Sequence, residues 1–220
     1  MSDGWCVVFD IDDTLYLETE YVASGFSEVD RYLQVKLGIS GFAEQATRIF
    51  TSGVRGDVFD LALTNLGVDD VAPLVPLLVG VYREHAPAIN LLPDAHAALD
   101  RCSAQGWVAV ISDGPLASQQ GKAGALGLAR WASPVILTAA YGVGYSKPHQ
   151  RAFQEVEHAH RGARFAYVAD NPLKDFVSPA AMGWSTVRLR RDGGLHAAVP
   201  SGDDVRYEMA TLDRLETVLV

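Results

Sequence analysis

The sequence is poor in cysteine, in basic clusters and in long apolar runs, and each shortage excludes something. Cys6 and Cys102 are the only cysteines among 220 residues. They lack the C-x-x-C spacing of a redox or zinc site, so a disulfide scaffold and a zinc ribbon are excluded and a reducing, cytoplasmic setting is expected. Met1-Ser2-Asp3-Gly4 carries no basic residue, and no secretory signal is expected there. The longest apolar stretch, residues 71–82, is interrupted by Pro73 and Pro76. It falls short of the roughly 20 residues a bilayer requires, so no membrane partner is expected. Lys and Arg number 18 against 27 Asp and Glu, a formal charge of −9. With the cations scattered, a nucleic acid polymer is not the expected partner. No Walker A sequence is present, which excludes a P-loop kinase. Gly142-Val143-Gly144 lacks the third glycine and the strand-turn-helix context of a dinucleotide fingerprint.

What is present is a globular composition, 49% apolar and 20% charged. Residues 5–9, 107–111, 135–138, 165–169 and 186–189 form short apolar runs rich in β-branched or aromatic side chains. Such runs fit parallel strands covered on both faces. Helical stretches are expected at 94–105, 116–126, 148–160 and 174–182, with Pro148 at a first helical position. Strands alternating with helices predict an α/β fold, a Rossmann-like parallel sheet. One interval breaks the rhythm. From Leu15 to Pro87 the apolar spacing is helical, at 21–37 and 57–66, with glycine-containing turns between. The expected organisation is therefore an α/β core, residues 1–14 and 88–220, with a helical insertion, residues 15–87, directly after the first strand. Residues 192–204, rich in Gly, Asp and Pro, are expected to be a surface loop.

The polar residues that end the strands carry the chemical information. The first strand runs into Asp10-Ile11-Asp12-Asp13-Thr14, the second into Ser112-Asp113-Gly114, and the fourth into Asp170-Asn171-Pro172 with Asp175 following. In a parallel sheet these ends share one edge, where open α/β sheets bind ligands. Asp10, Asp12, Ser112, Asp170 and Asp175 are expected to converge there, with Lys147 in reach. Two carboxylates ~4 Å apart repel by roughly 4 kcal/mol at an effective dielectric of about 20, so such a cluster calls for a cation. The ligands on offer are oxygens, which suit Mg²⁺. A phosphate dianion would need that ion and Lys147 in order to approach, so the cluster points to phosphoryl chemistry. Asp10 and Asp12 lie two apart and share one side of an extended backbone. One can attack phosphorus while the other moves protons, and spacing alone does not say which.

These four motifs, in this order across residues 10–175, resemble those of the haloacid dehalogenase (HAD) superfamily, and the helical insertion resembles the cap that many members carry. The resemblance implies Asp10 as nucleophile and Asp12 as general acid and base. It implies Ser112, with Asp113 and Gly114, around the phosphoryl oxygens, and Lys147 neutralising charge. It implies Mg²⁺ at Asp10, the Asp12 main-chain carbonyl and Asp170, with Asp175 either behind these ligands or binding the metal through water. Two positions depart from the usual pattern: Ala169 stands where glycine is common, and Asp113 where asparagine is commoner. The family's dehalogenases lack the second aspartate, so Asp12 disfavours halide removal. Its phosphonate-cleaving branch needs a cap lysine, and the insertion has only Lys36.

Arg55, in the Gly-flanked segment Gly53-Val54-Arg55-Gly56, is a candidate substrate contact. The insertion holds five Lys/Arg against ten Asp/Glu. This charge would not draw in large polyanions and suits a small phosphomonoester such as a sugar phosphate or mononucleotide. The expected function is an Mg²⁺-dependent phosphatase acting through an aspartyl-phosphate. A phosphomutase on sugar phosphates and a non-catalytic module binding a phosphorylated ligand are the alternatives.

Overall fold

The computed structural model describes residues 4–219, which divide into two compact units, residues 4–18 with 90–219 and Thr19–Ile89. The first unit is built on six strands: β1 (Trp5–Phe9), β2 (Trp107–Ser112), β3 (Val135–Leu137), β4 (Arg164–Ala169), β5 (Ser185–Leu189) and β6 (Tyr207–Met209). All pair in parallel, in the order β3-β2-β1-β4-β5-β6. The α/β Rossmann-like sheet expected from the alternating runs is therefore what the chain forms. The chain moves outward on one side of β1, then returns to place β4 on its other side. The carboxyl ends of β1 and β4 thus flank the switch point where sheets of this order bind ligands.

Burial explains the strands. Val8, Ala109, Ile111 and Tyr167 are fully buried and pack with Ile136, Phe153 and Phe176 into one core. The helices of this unit are α5 (Pro93–Gln105), α6 (Leu116–Ala125), α7 (Arg151–Ala159) and α8 (Val177–Ala181). Two of them start later than expected. Pro148 does not open α7. Residues 146–149 form a turn closed by His149 N–H donating to Ser146 C=O at 3.0 Å, and the Pro148 carbonyl accepts from the Ser178 hydroxyl. Likewise α8 begins at Val177 because Asp175 N–H donates to Asn171 C=O in a preceding turn. Both turns hold site residues off the helices. β6 was not foreseen from the sequence, being three residues long with a half-buried, exposed, half-buried alternation.

The second unit holds α1 (Glu18–Leu37, whose first residue belongs to the sheet unit), α2 (Phe42–Thr51), α3 (Val58–Asn65) and α4 (Leu74–Glu84). Val22, Phe26, Val29 and Leu33 lie three or four apart and form one apolar stripe on α1. The stripe packs with Phe42, Ala46, Leu63 and Leu78 into a separate core. The division falls at Glu18 and Asn90 rather than at 14 and 88. Residues 15–18 are tied to the sheet unit: Leu92 N–H donates to the Leu15 carbonyl at 3.0 Å, and Glu18 N–H to the Asp13 carboxylate at 2.8 Å. Among the described residues no helix is long and apolar enough to cross a membrane.

Candidate active site

At the carboxyl ends of β1, β2 and β4 a cavity of about 130 Å³ is lined by Asp10, Asp12, Glu18, Asp113, Asp170, Asn171, Lys174 and His196. The strand-end carboxylates Asp10, Asp12 and Asp170 therefore meet in one space. Asp10 follows β1 directly, its N–H bonded to the Val168 carbonyl at 2.9 Å. Asp13 adopts a left-handed conformation, φ 50°, which aspartate tolerates better than most residues. Its carboxylate accepts the N–H groups of Glu18 and Leu195 at 2.8 and 2.7 Å, so it fastens the loop.

Lys147 stands behind Asp10. Its ammonium donates to Asp10 Oδ1 at 2.8 Å and to the Tyr167 hydroxyl at 2.9 Å, and it forms an ion pair with Asp175 Oδ1 at 2.8 Å. The Lys147 main-chain N–H donates to Asp113 Oδ1 at 3.2 Å. Asp113 also accepts from the Thr138 hydroxyl at 2.7 Å and from Lys174 Nζ at 2.9 Å. Burial would raise Asp113, but Lys147, Lys174 and the Thr138 hydroxyl outweigh it and hold its carboxyl below the usual range. Ser112 is buried, and its hydroxyl donates to Gln119 Oε1 at 3.1 Å. Gly114 has φ 139°, and a Cβ there would come within 2.5 Å of Gln119 Nε2. Arg55 belongs to the helical unit. Its guanidinium donates to the carbonyls of Phe50 and Val54 at 2.6 and 2.9 Å and lies over the Phe50 ring.

Several residues of the site have no signature in the sequence. Asp12 is held from three directions. Oδ1 accepts from the Tyr16 hydroxyl and, at 2.6 Å, from Lys122 Nζ, while Oδ2 accepts from Gln119 Nε2 at 3.0 Å. His196, in the segment expected to be only a surface loop, places Nδ1 2.8 Å from Asp170 Oδ2. Arg188 is fully buried and donates to the carbonyls of Asp170 and His196, which ties that loop to the end of β4. Glu18 turns a carboxyl toward the same cavity.

The electrostatics show an excess of buried negative charge. Burial, opposed by Lys147 and reinforced by Asp175, Asp12 and Asp170, pushes Asp10 up to about 7. Burial and the neighbouring Asp12 push Glu18 up to about 8 against the pull of Lys122. Burial also raises Asp170, although His196 donates to it. Asp10, Asp170 and Asp175 can each bring one oxygen within 4.8 Å of the others, a set able to hold a metal ion. Such an all-oxygen donor set matches a hard divalent cation rather than zinc. Asp13, Asp170 and His196 also approach one another, but both Asp13 oxygens are committed to backbone N–H groups.

A family model for haloacid dehalogenase-like hydrolases matches residues 6–183. The chain belongs to that family. This HAD-like hydrolase is 25% identical over 223 residues to the glyceraldehyde 3-phosphate phosphatase of Methanocaldococcus jannaschii, covering 97% of this chain and 94% of that protein. Among solved structures, it resembles a magnesium-bound HAD hydrolase, YfnB, from Bacillus subtilis (TM-score 0.67, 16% identity, 99% of each chain covered). It also resembles a HAD phosphatase from Thermococcus onnurineus (TM-score 0.61, 24% identity, 97% of each chain). Dehalogenases stand among its structural neighbours as well, so at this distance the shared fold does not by itself choose between the two reactions.

Proposed function

We propose that this HAD-like hydrolase is an Mg²⁺-dependent phosphatase of small phosphomonoesters, working through an aspartyl-phosphate on Asp10, with the helical unit as its cap domain. The observation that carries the reading is the pairing of Asp10 with Asp12 on one 130 Å³ cavity, each carboxylate held by its own buried lysine. A hydrolase that displaced halide would need the nucleophile but has no evident use for a second, three-way clamped carboxylate beside it. The name of the Methanocaldococcus relative supports a short phosphorylated carbon chain as substrate.

In this mechanism an Asp10 oxygen attacks phosphorus and the bond to the ester oxygen breaks. Asp12 gives that oxygen a proton. Asp12 then takes a proton from water, whose oxygen attacks the phosphoryl group and releases Asp10 and inorganic phosphate. Lys147 fixes Asp10 and balances charge on it. Asp10 and Asp170 would hold the ion, with Asp175, which accepts Asn171 N–H at 3.0 Å through Oδ2 and pairs with Lys147 through Oδ1, joining them directly or supporting them from behind. When bound, Mg²⁺ supplies positive charge against the incoming phosphate. The Ser112 hydroxyl would have to turn from Gln119 to meet a phosphoryl oxygen.

The test is phosphate release from a panel of sugar phosphates, nucleotides and small organic phosphates. Turnover is expected to require Mg²⁺ and to vanish with a chelator and in Asp10→Asn. Metal-dependent turnover at the normal rate in Asp10→Asn would remove Asp10 as nucleophile. Isomerised sugar phosphate without phosphate release would replace hydrolysis by mutase chemistry.

A further inference from the structure

Helix α6 buries the wrong kind of residue for a packing helix. Its buried positions are Ser118, Gln119 and Lys122, all polar. Gln119 and Lys122 are three apart and so share a face, and they are 2% and 3% exposed. A buried ammonium and a buried amide are unfavourable unless partners repay their lost hydration, and both side chains find the same partner. Lys122 Nζ lies 2.6 Å from Asp12 Oδ1, and Gln119 Nε2 lies 3.0 Å from Asp12 Oδ2. The two oxygens are thus gripped separately, with the Tyr16 hydroxyl as a further donor to Oδ1. Rotation of the carboxylate about its own bond would break at least one of these contacts. Gln119 is in turn oriented by the Ser112 hydroxyl at 3.1 Å, and a Cβ at 114 would crowd its amide at 2.5 Å.

We propose that Lys122 and Gln119 are positioning residues for Asp12, holding its carboxylate at the angle from which it serves the leaving oxygen of the substrate. The inference rests on the phosphatase reading. On that reading the two buried lysines divide the labour. Lys147 grips the carboxylate that attacks, and Lys122 grips the carboxylate that transfers the proton. Proton transfer demands hydrogen-bond reach to the reacting oxygen, and loss of alignment by about 1 Å can cost on the order of 100-fold in rate. The clamp therefore matters most where the leaving oxygen most needs a proton.

That dependence separates positioning from mere structural support. An alkyl phosphate, such as glycerol phosphate, expels a strongly basic alkoxide and relies on Asp12. A nitrophenyl phosphate expels a stable phenolate and needs it little. The readout is kcat/KM, which covers the steps up to the phosphoenzyme, measured with saturating Mg²⁺ on both esters for the unaltered protein, Lys122→Met, Lys122→Arg and Gln119→Leu. Lys122→Met is expected to lose about 100-fold more on the alkyl than on the aryl ester, within the usual range for general acid catalysis. Lys122→Arg should recover part of the difference, Gln119→Leu should show it in weaker form, and half-saturation by Mg²⁺ should not move. Gln119→Leu buries no unpaired charge and keeps the question open to measurement should Lys122→Met fail to fold. Equal losses on the two esters, or a loss that tracks a shift in Mg²⁺ affinity, would overturn the proposal. An unaltered protein that turned over neither ester would instead overturn the phosphatase reading, and the inference with it.

Discussion

Replacing Lys147 by methionine removes the cation that two buried carboxylates share. Its ammonium is 2.8 Å from Asp10 and 2.8 Å from Asp175, and the Asp175 side chain is fully buried. Deleting one member of a buried ion pair costs about 3–5 kcal/mol, because the charge left behind is neither hydrated nor paired. Protonation limits the damage here. Asp10 already sits near 7 with Lys147 in place, so without it the folded protein takes up a proton rather than hold two naked charges. The expected loss at pH 7.5 is therefore about 3 kcal/mol, the lower end of that range. This is a sizeable share of the 5–15 kcal/mol that stabilises a typical domain. The sign of the pH effect follows from linkage. An acid whose folded pKa lies above the unfolded value of about 3.9 binds more protons folded than unfolded between the two, so stability falls as pH rises through that window. Lys147→Met raises the folded value further and should therefore be less penalised at pH 5.5 than at pH 7.5. Urea unfolding followed by circular dichroism, in chelator, measures both differences. Adding Mg²⁺ should narrow the gap at pH 7.5, since the variant, with one cation fewer beside Asp10 and Asp175, binds the ion more tightly and gains more stability from it. A loss below about 1 kcal/mol, the scale of an exposed pair, or a loss equal at the two pH values would refute this account of the charge balance.

Other perturbations test separate parts of the structure. His196 Nδ1 donates to Asp170 Oδ2 at 2.8 Å, so His196→Ala should weaken Mg²⁺ binding by about 10–100-fold, as loss of a partner behind a metal ligand does elsewhere; titration calorimetry without substrate reads this, and unchanged affinity would separate the loop from the metal. Asp94 accepts Arg191 at 2.9 Å and Leu212 N–H at 2.8 Å, and these outweigh its burial and hold its carboxyl below the usual range. Asp94→Asn should cost about 1–3 kcal/mol near neutrality, and the difference should vanish as pH falls below the unfolded value of about 3.9 and through the folded one. A gap that persisted in strong acid would assign the effect to packing. Asp10→Asn should abolish phosphate release while binding phosphate at least as well as the unaltered protein, because it removes a negative charge but little volume.

The core of the site was legible because its residues sit at strand ends. Asp10, Asp12, Asp113 and Asp170 each follow a short apolar run, and the parallel pairing of those runs was readable from their alternation with helices. The clamp on Asp12 was harder to read. Gln119 and Lys122 stand on a helix where a glutamine and a lysine ordinarily face water, and the trace they left was an absence: α6 has almost no apolar stripe to bury. His196 was concealed by its surroundings, since a segment rich in Gly, Asp and Pro reads as a solvated loop. The fully buried Arg188, which pulls that loop back to β4, lies within a run that reads only as a strand. The late starts of α7 and α8 escaped notice because hydrogen bonds within turns, rather than apolar spacing, set them.

What the sequence determined alone was the class of fold and the chemical character of one sheet edge. Apolar periodicity and turn residues are local properties, and a parallel sheet converts strand ends into neighbours without further information. The tertiary structure decided which charges meet. That Lys147 serves Asp10 while Lys122 serves Asp12, and that His196 reaches Asp170, depends on contacts spanning 26 to 137 positions along the chain. Such pairings form because burying a charge is costly until an opposite one is found, and only the packed fold fixes which one is near.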